Sequence, residues 1–203
     1  MPQEIRKFGT AALLASTFAL AGCFGGGSGV STTPGGPGPI VTIPDPEGEP
    51  TGPIEAPIQA TYSGDMAATF ENAGDATGTT TISGTLTLEI DTEATTQIEA
   101  SATGFSGVDT DPVDGGTFDL DGTLTGTGTV DLVAGSVAFG LDGRVNLAGT
   151  PSEGADVSLD GIGTFFGDDA DQIDGTLAGT IGGEDDDGVW EDEGTGTFLL
   201  LKD

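Results

Sequence analysis

Carboxylates are the one abundant reactive group in this chain: 34 Asp and Glu stand against 4 Lys and Arg among 203 residues, a formal charge of -30. They cluster. Asp168, Asp169, Asp171 and Asp174 lie close together, Glu184 to Asp187 form an unbroken run, and Glu191, Asp192 and Glu193 follow Trp190. Convergent oxygens of this kind hold Ca2+ when several reach it at about 2.3–2.6 Å. The EF-hand spacing is absent, because Gly188 is preceded by Asp187 and Asp185 but then by Gly183. Nonapeptide Ca2+ repeats are absent too. Solvated acidic loops are the plain account of these runs. The alternative is a weak Ca2+ site at Asp185, Asp187 and Glu191, and no other cofactor is expected. Paired carboxylates can also hydrolyse glycosides. With so many acids, two fall near each other by chance, so the chain is not read as an enzyme.

The missing residues exclude more. There is no histidine and a single cysteine, which removes His-based catalysis, His-ligated haem and the usual zinc sites. A haem ligand would have to be Tyr62 or Met66, and both fall on the expected inward face of a strand. Four basic residues cannot build a patch for nucleic acid or an anionic membrane.

The cysteine has a context of its own. Arg6 and Lys7 precede an apolar run from Phe8 to Ala21 that is short of the roughly 20 residues of a membrane span. It ends in Leu20-Ala21-Gly22-Cys23, which resembles the lipobox of bacterial lipoproteins. The resemblance implies a signal peptide over 1–22, cleavage between Gly22 and Cys23, and diacylglyceryl and palmitate-type acyl chains on Cys23. More than one chain makes such anchoring stable, at about 0.8 kcal/mol per buried methylene. Phe24, where an Asp would retain enteric lipoproteins, implies transfer to the outer membrane. Removing Glu4, Arg6 and Lys7 takes the 34 acids to 33 and the 4 bases to 2, leaving side chains that sum to -31. Arg144 and Lys202 are then the remaining cations.

What must position these groups is a tether and a sheet. Residues 23–56, the lipidated cysteine and a Gly- and Pro-rich stretch, show no periodic apolar face to repay ordering the backbone. As a spacer the stretch reaches about 100 Å fully extended and about 30 Å as a coil. From 57 to 203 the apolar period is two. Tyr62, Met66 and Phe70 alternate with Ser63, Asp65 and Thr69; Val137, Phe139 and Leu141 mark another such run. The alternation predicts strands over 58–70, 80–91, 95–103, 116–133, 136–148, 155–166, 173–182 and 194–202. Asp114-Gly115, Asp142-Gly143, Asp174-Gly175 and Asp187-Gly188 are candidate hairpin turns, although the middle two sit inside alternating runs. Eight antiparallel strands with one apolar face close into a barrel that is filled by side chains or holds one small ligand. The other face is Thr, Ser, Asp and Glu. A membrane barrel would be apolar there, with aromatic girdles, so the predicted barrel is soluble and all-β. Trp190 is expected to plug a barrel end, with an exposed contact residue as the alternative. Phe165-Phe166 is expected to place one ring inside and one outside, where Phe166 covers a barrel end or, as the alternative, meets a partner.

The stretch from Gly163 to Leu177, GTFFGDDADQIDGTL, resembles the barrel of transferrin-binding protein B and its lipoprotein relatives in Gram-negative bacteria. The resembling residues are Gly163, Phe165, Phe166, Gly167, Ala170, Ile173 and Gly175, supported by Tyr62-Ser63-Gly64 and Gly196-Thr197-Phe198. Gln172 and Leu177 depart from that pattern, and the chain has room for one barrel and no handle domain. The resemblance implies a surface-displayed, lipid-anchored outer-membrane protein that captures a protein or small-molecule ligand. The charge favours a cationic partner, not an anionic one. The alternative is a structural or interaction lipoprotein with no small-molecule ligand, conceivably stabilised by Ca2+.

Overall fold

A computed structural model describes residues 43, 46, 48–71, 78–110, 116–149, 154–185 and 188–203. Within them the chain is a closed, all-antiparallel barrel of eight strands in sequence order. These are β1 (Gln59–Glu71), β2 (Thr79–Asp91), β3 (Ile98–Asp109), β4 (Gly116–Asp131), β5 (Ser136–Leu147), β6 (Gly154–Phe166), β7 (Gln172–Asp185) and β8 (Gly188–Lys202), and β8 closes on β1. No helix among the described residues is long and apolar enough to cross a membrane. Each strand pairs with its sequence neighbours, so closure removes both edges of the sheet. The apolar alternation points inward. Tyr62, Leu86, Leu88, Ile98, Leu141, Phe165, Ile173, Phe198 and Leu200 are fully buried. The outer wall carries exposed Asp65, Glu89, Glu99, Asp142, Asp156 and Asp160.

Room inside so narrow a barrel is made by pairing rings with glycines. In the strand register Phe70 stands opposite Gly194, Phe118 opposite Gly107, Phe139 opposite Gly161, Phe198 opposite Gly175 and Trp190 opposite Gly183. In every pair a Cβ on the glycine would meet the ring at once. The ring lies over bare backbone and fills the volume its partner lacks, which is how aromatic residues compensate glycine in sheets. Phe139 and Phe198 then meet edge to face, with centroids 5.5 Å apart at 63°.

Two departures from the alternation have their cause in the partner strand. β3 continues six residues beyond the predicted 103, because a bulge reverses the parity there. Between Ser83 and Thr85 one residue of β2 faces two of β3, and Gly104 takes φ +68, as a glycine-led bulge requires. Ala102 and Phe105 both point inward as a result, and a strict period of two cannot show that. β7 and β8 also run further than 182 and 194, pairing from Gly182–Glu191 out to Asp185–Gly188. Glycines and acids are poor strand formers on local grounds; the partner strand's ladder orders them. Asp142-Gly143 and Asp174-Gly175 lie inside strands, while Asp114, Gly115 and Asp187 lie outside the described residues.

Chain entry and exit share one barrel end, here called proximal, with the connections at 92–97, 132–135 and 167–171. The connections at the distal end, 72–77, 111–115, 150–153 and 186–187, lie outside the described residues. Before β1 the chain is laid across the proximal end. Thr51 N donates to Phe165 O (2.7 Å), Gly167 N to Glu49 O (3.2 Å) and Ile54 N to Leu132 O (2.8 Å). These bonds hold the segment in place, together with Ile54 packed against the barrel core.

Candidate functional site

The motif quoted for the family resemblance forms the proximal closure. β6 delivers Gly163 and Phe165 inward and Phe166 outward, and β7 returns with Ile173 and Gly175 inward. Gly163 and Gly175 make room for Phe198, and Gly163 also for Ile173. The turn between the strands needs Gly167 at φ +86 and Ala170 at φ 52, a left-handed conformation that is uncommon for a residue with a Cβ. Ala170 tolerates it because its carbonyl is held: the Tyr62 hydroxyl donates to Ala170 O at 2.8 Å. Tyr62 also packs edge to face on Phe165, centroids 5.8 Å apart at 62°. Thr51 Oγ1 donates to Gly167 O at 2.7 Å, and Lys202 Nζ to Asp169 O at 3.2 Å. Burial pushes the Tyr62 phenol from its ordinary 10.0 up to about 12, and the Asp171 carboxylate adds to the shift. All the motif residues are thus accounted for by closing the barrel.

Among the described residues the barrel interior is packed with side chains. Met66, Phe70, Leu124 and Leu177 occupy the axis with Tyr62, Phe165 and Phe198. Tyr62 apart, no polar or charged residue is buried among the described residues. Tyr62 and Met66, the residues weighed as haem ligands, are core residues, the former with its hydroxyl already engaged.

The distal end is built differently. The pairing of β8 with β1 stops at Phe70–Gly194, and that of β7 with β6 at Asp156–Gly182. Beyond these points, among the described residues, β7 and β8 continue as a ladder with each other out to Asp185–Gly188. Trp190 sits on it, 37% exposed, with its indole across Gly183, and Val189 beside it is 79% exposed. At this exposure Trp190 is not a fully buried plug, and Phe70 and Ile181 are buried in the barrel interior. Period two sets a side chain's face but not how much of it stays exposed.

A groove of about 870 Å³ runs along this hairpin and the outer wall of β5 and β6, lined by Asp142, Arg144, Asp156, Val189, Trp190 and Glu191 among others. Arg144 donates to Asp156 Oδ1 at 3.2 Å and to Gly154 O at 2.9 Å. Of the weak Ca2+ candidate, Glu191 is exposed on the outer wall, while Asp187 and the side chain of Asp185 lie outside the described residues. Cys23 and Gly22 lie outside them as well. Among the described residues no three metal-ligating side chains converge. No protein-family model, no curated protein and no solved structure matches the chain.

Proposed function

We propose that this chain is a lipid-anchored envelope protein, displayed at the outer-membrane surface, whose barrel is a rigid module for binding a protein partner. Three features support this reading: the Leu20-Ala21-Gly22-Cys23 sequence, the resemblance to the transferrin-binding protein B barrel, and one structural observation that carries most weight. The described chain enters and leaves at the tightly closed proximal end, so the exposed Val189 and Trp190 of the β7–β8 hairpin stand at the barrel end opposite residues 48–58. A ligand inside the barrel would have to displace packed rings, so recognition belongs on the outside, where a protein surface can reach it. The same filled interior favours the second reading, an interaction or structural lipoprotein with no small-molecule ligand.

The test uses the full chain and Cys23→Ser in a Gram-negative host. The parent takes up labelled palmitate and fractionates with the outer membrane, and the variant does neither. Protease added to intact cells removes the barrel from the parent. Equal labelling of Cys23→Ser overturns the anchor. A barrel cleaved only after lysis overturns surface display and leaves the envelope-interaction reading.

A further inference from the structure

The outer wall carries many carboxylates, yet its middle row on three strands has none. Strand register sets Ile162 of β6, Thr176 of β7 and Thr197 of β8 side by side. Ile162 is 64% exposed, and Leu201, further along β8 on the same face, is 53% exposed, with Leu199 between. Val133 in a turn and the distal Val189 and Trp190 apart, these are the large apolar side chains left in water among the described residues. The core is packed without them, and apolar side chains gathered on one charged wall mark an interaction surface. The flanks of the row are unequal. One same-face step towards the proximal end stand Thr164, Asp174 and Leu199, and one step towards the distal end Asp160, Ala178 and Thr195. On none of the three strands are both flanks charged.

We infer that this face binds a second copy of the chain. A twofold axis along the row turns the proximal flank of one copy onto the distal flank of the other. Asp174 then faces Ala178, Asp160 faces Thr164 and Leu199 faces Thr195, while Thr176 and Ile162 each meet their own counterparts. No carboxylate of the three rows meets another, although the chain carries a net charge of -30. An axis along β7 would instead set Asp174 against itself. That self-complementarity selects the occupant. A cationic partner would gain more from the acidic rows elsewhere on the wall, and anionic lipid or nucleic acid is repelled by the field of the whole chain. Carboxylates outside the contact still oppose association, so added salt strengthens it, the reverse of an interface held by opposite charges. The inference goes beyond the binding-module reading and needs neither the anchor nor surface display.

Sedimentation equilibrium of the full chain in density-matched detergent, with micelles in excess, measures the dimer directly. Its dissociation constant falls about threefold as salt rises from about 0.1 M to about 1 M. Ile162→Asp brings two new carboxylates together and weakens the dimer roughly tenfold. Thr125→Asp adds the same charge on β4, across the barrel from β8, and changes the constant by less than about twofold. Far-UV circular dichroism confirms that both variants are folded. Thr176→Cys combined with Cys23→Ser, which leaves one thiol in the chain, is joined to its counterpart by a short bis-maleimide; Thr125→Cys in the same background is not. A chain that stays monomeric at every concentration and salt overturns the inference and leaves the face to a different protein or to lipid. A dimer that Ile162→Asp leaves intact also overturns it, since that dimer is held elsewhere. So does one that Thr125→Asp weakens as much, which marks diffuse repulsion.

Discussion

Trp190 and Phe165 are both ring side chains near the ends of long strands, yet one is 37% exposed and the other 0%. At the proximal end Phe165 meets Tyr62, the Tyr62 hydroxyl meets Ala170 O, and the segment before β1 bonds to the backbone of Phe165 itself. At the distal end Trp190 rests on Gly183 and otherwise faces the groove. The contrast separates two uses of one element, the β-hairpin. Where neighbouring strands and the entering chain surround it, its ring stabilises the barrel. At the distal end of β7 and β8 its ring lies on a glycine and keeps 37% of its surface in water.

Substitutions can break or sharpen that contrast. The largest effect is expected at the proximal end: Phe165→Ala leaves a cavity among Tyr62, Ile173 and the segment before β1, and costs about 3–5 kcal/mol in urea unfolding. Gly175→Ala puts a Cβ against the Phe198 ring and the carbonyl of Ile162, and the carbonyl cannot swing aside. That places it in the upper part of the range for overpacking, about 2–3 kcal/mol by the same measurement.

Tyr62→Phe keeps the ring but strips Ala170 O of its donor, at roughly 1–2 kcal/mol. It also changes the pH dependence. The folded phenol titrates at about 12, above its ordinary 10.0, so its stabilising contribution is complete below pH 10 and is lost as pH rises towards 12. Chemical melts should show the parent weakening across that window more steeply than Tyr62→Phe. Because Tyr62 is the only tyrosine, absorbance titration reads its phenolate directly. A smaller effect than at Phe165 is expected at the distal hairpin: Trp190→Ala costs about 1–2 kcal/mol, since 37% of the residue stays in water. A loss comparable to that of Phe165→Ala would place Trp190 in the core and erase the comparison.

Much of the barrel is legible along the chain because a half-buried strand writes its two faces in alternate residues. Ile82, Leu86, Leu88 and Ile90 are all inward, as their spacing requires. The reading stops where the cause is not local. Gly104 shifts the parity of β3 through a bulge whose partner lies on β2. The acidic ends of β7 and β8 become strand because each supplies the other's ladder. Residues 49–54 show no pattern and are held by carbonyls and amides far along the sequence. The candidate site fared likewise. The seven residues of the signature turn could be named in advance, but their role in sealing the barrel required Tyr62 and Thr51 to arrive from elsewhere. For Trp190 the sequence left a plug and an exposed contact side by side, and its exposure came only with the fold.

Period, charge and the absence of histidine are properties of residues or their near neighbours, so the sequence alone determined an all-β barrel with an apolar lining, a strongly acidic exterior and no histidine chemistry. Which glycine each ring lies over and which barrel end is closed depend on contacts between residues far apart in the chain. Only the tertiary structure could decide them, because burial belongs to the surroundings of a side chain and not to the side chain itself.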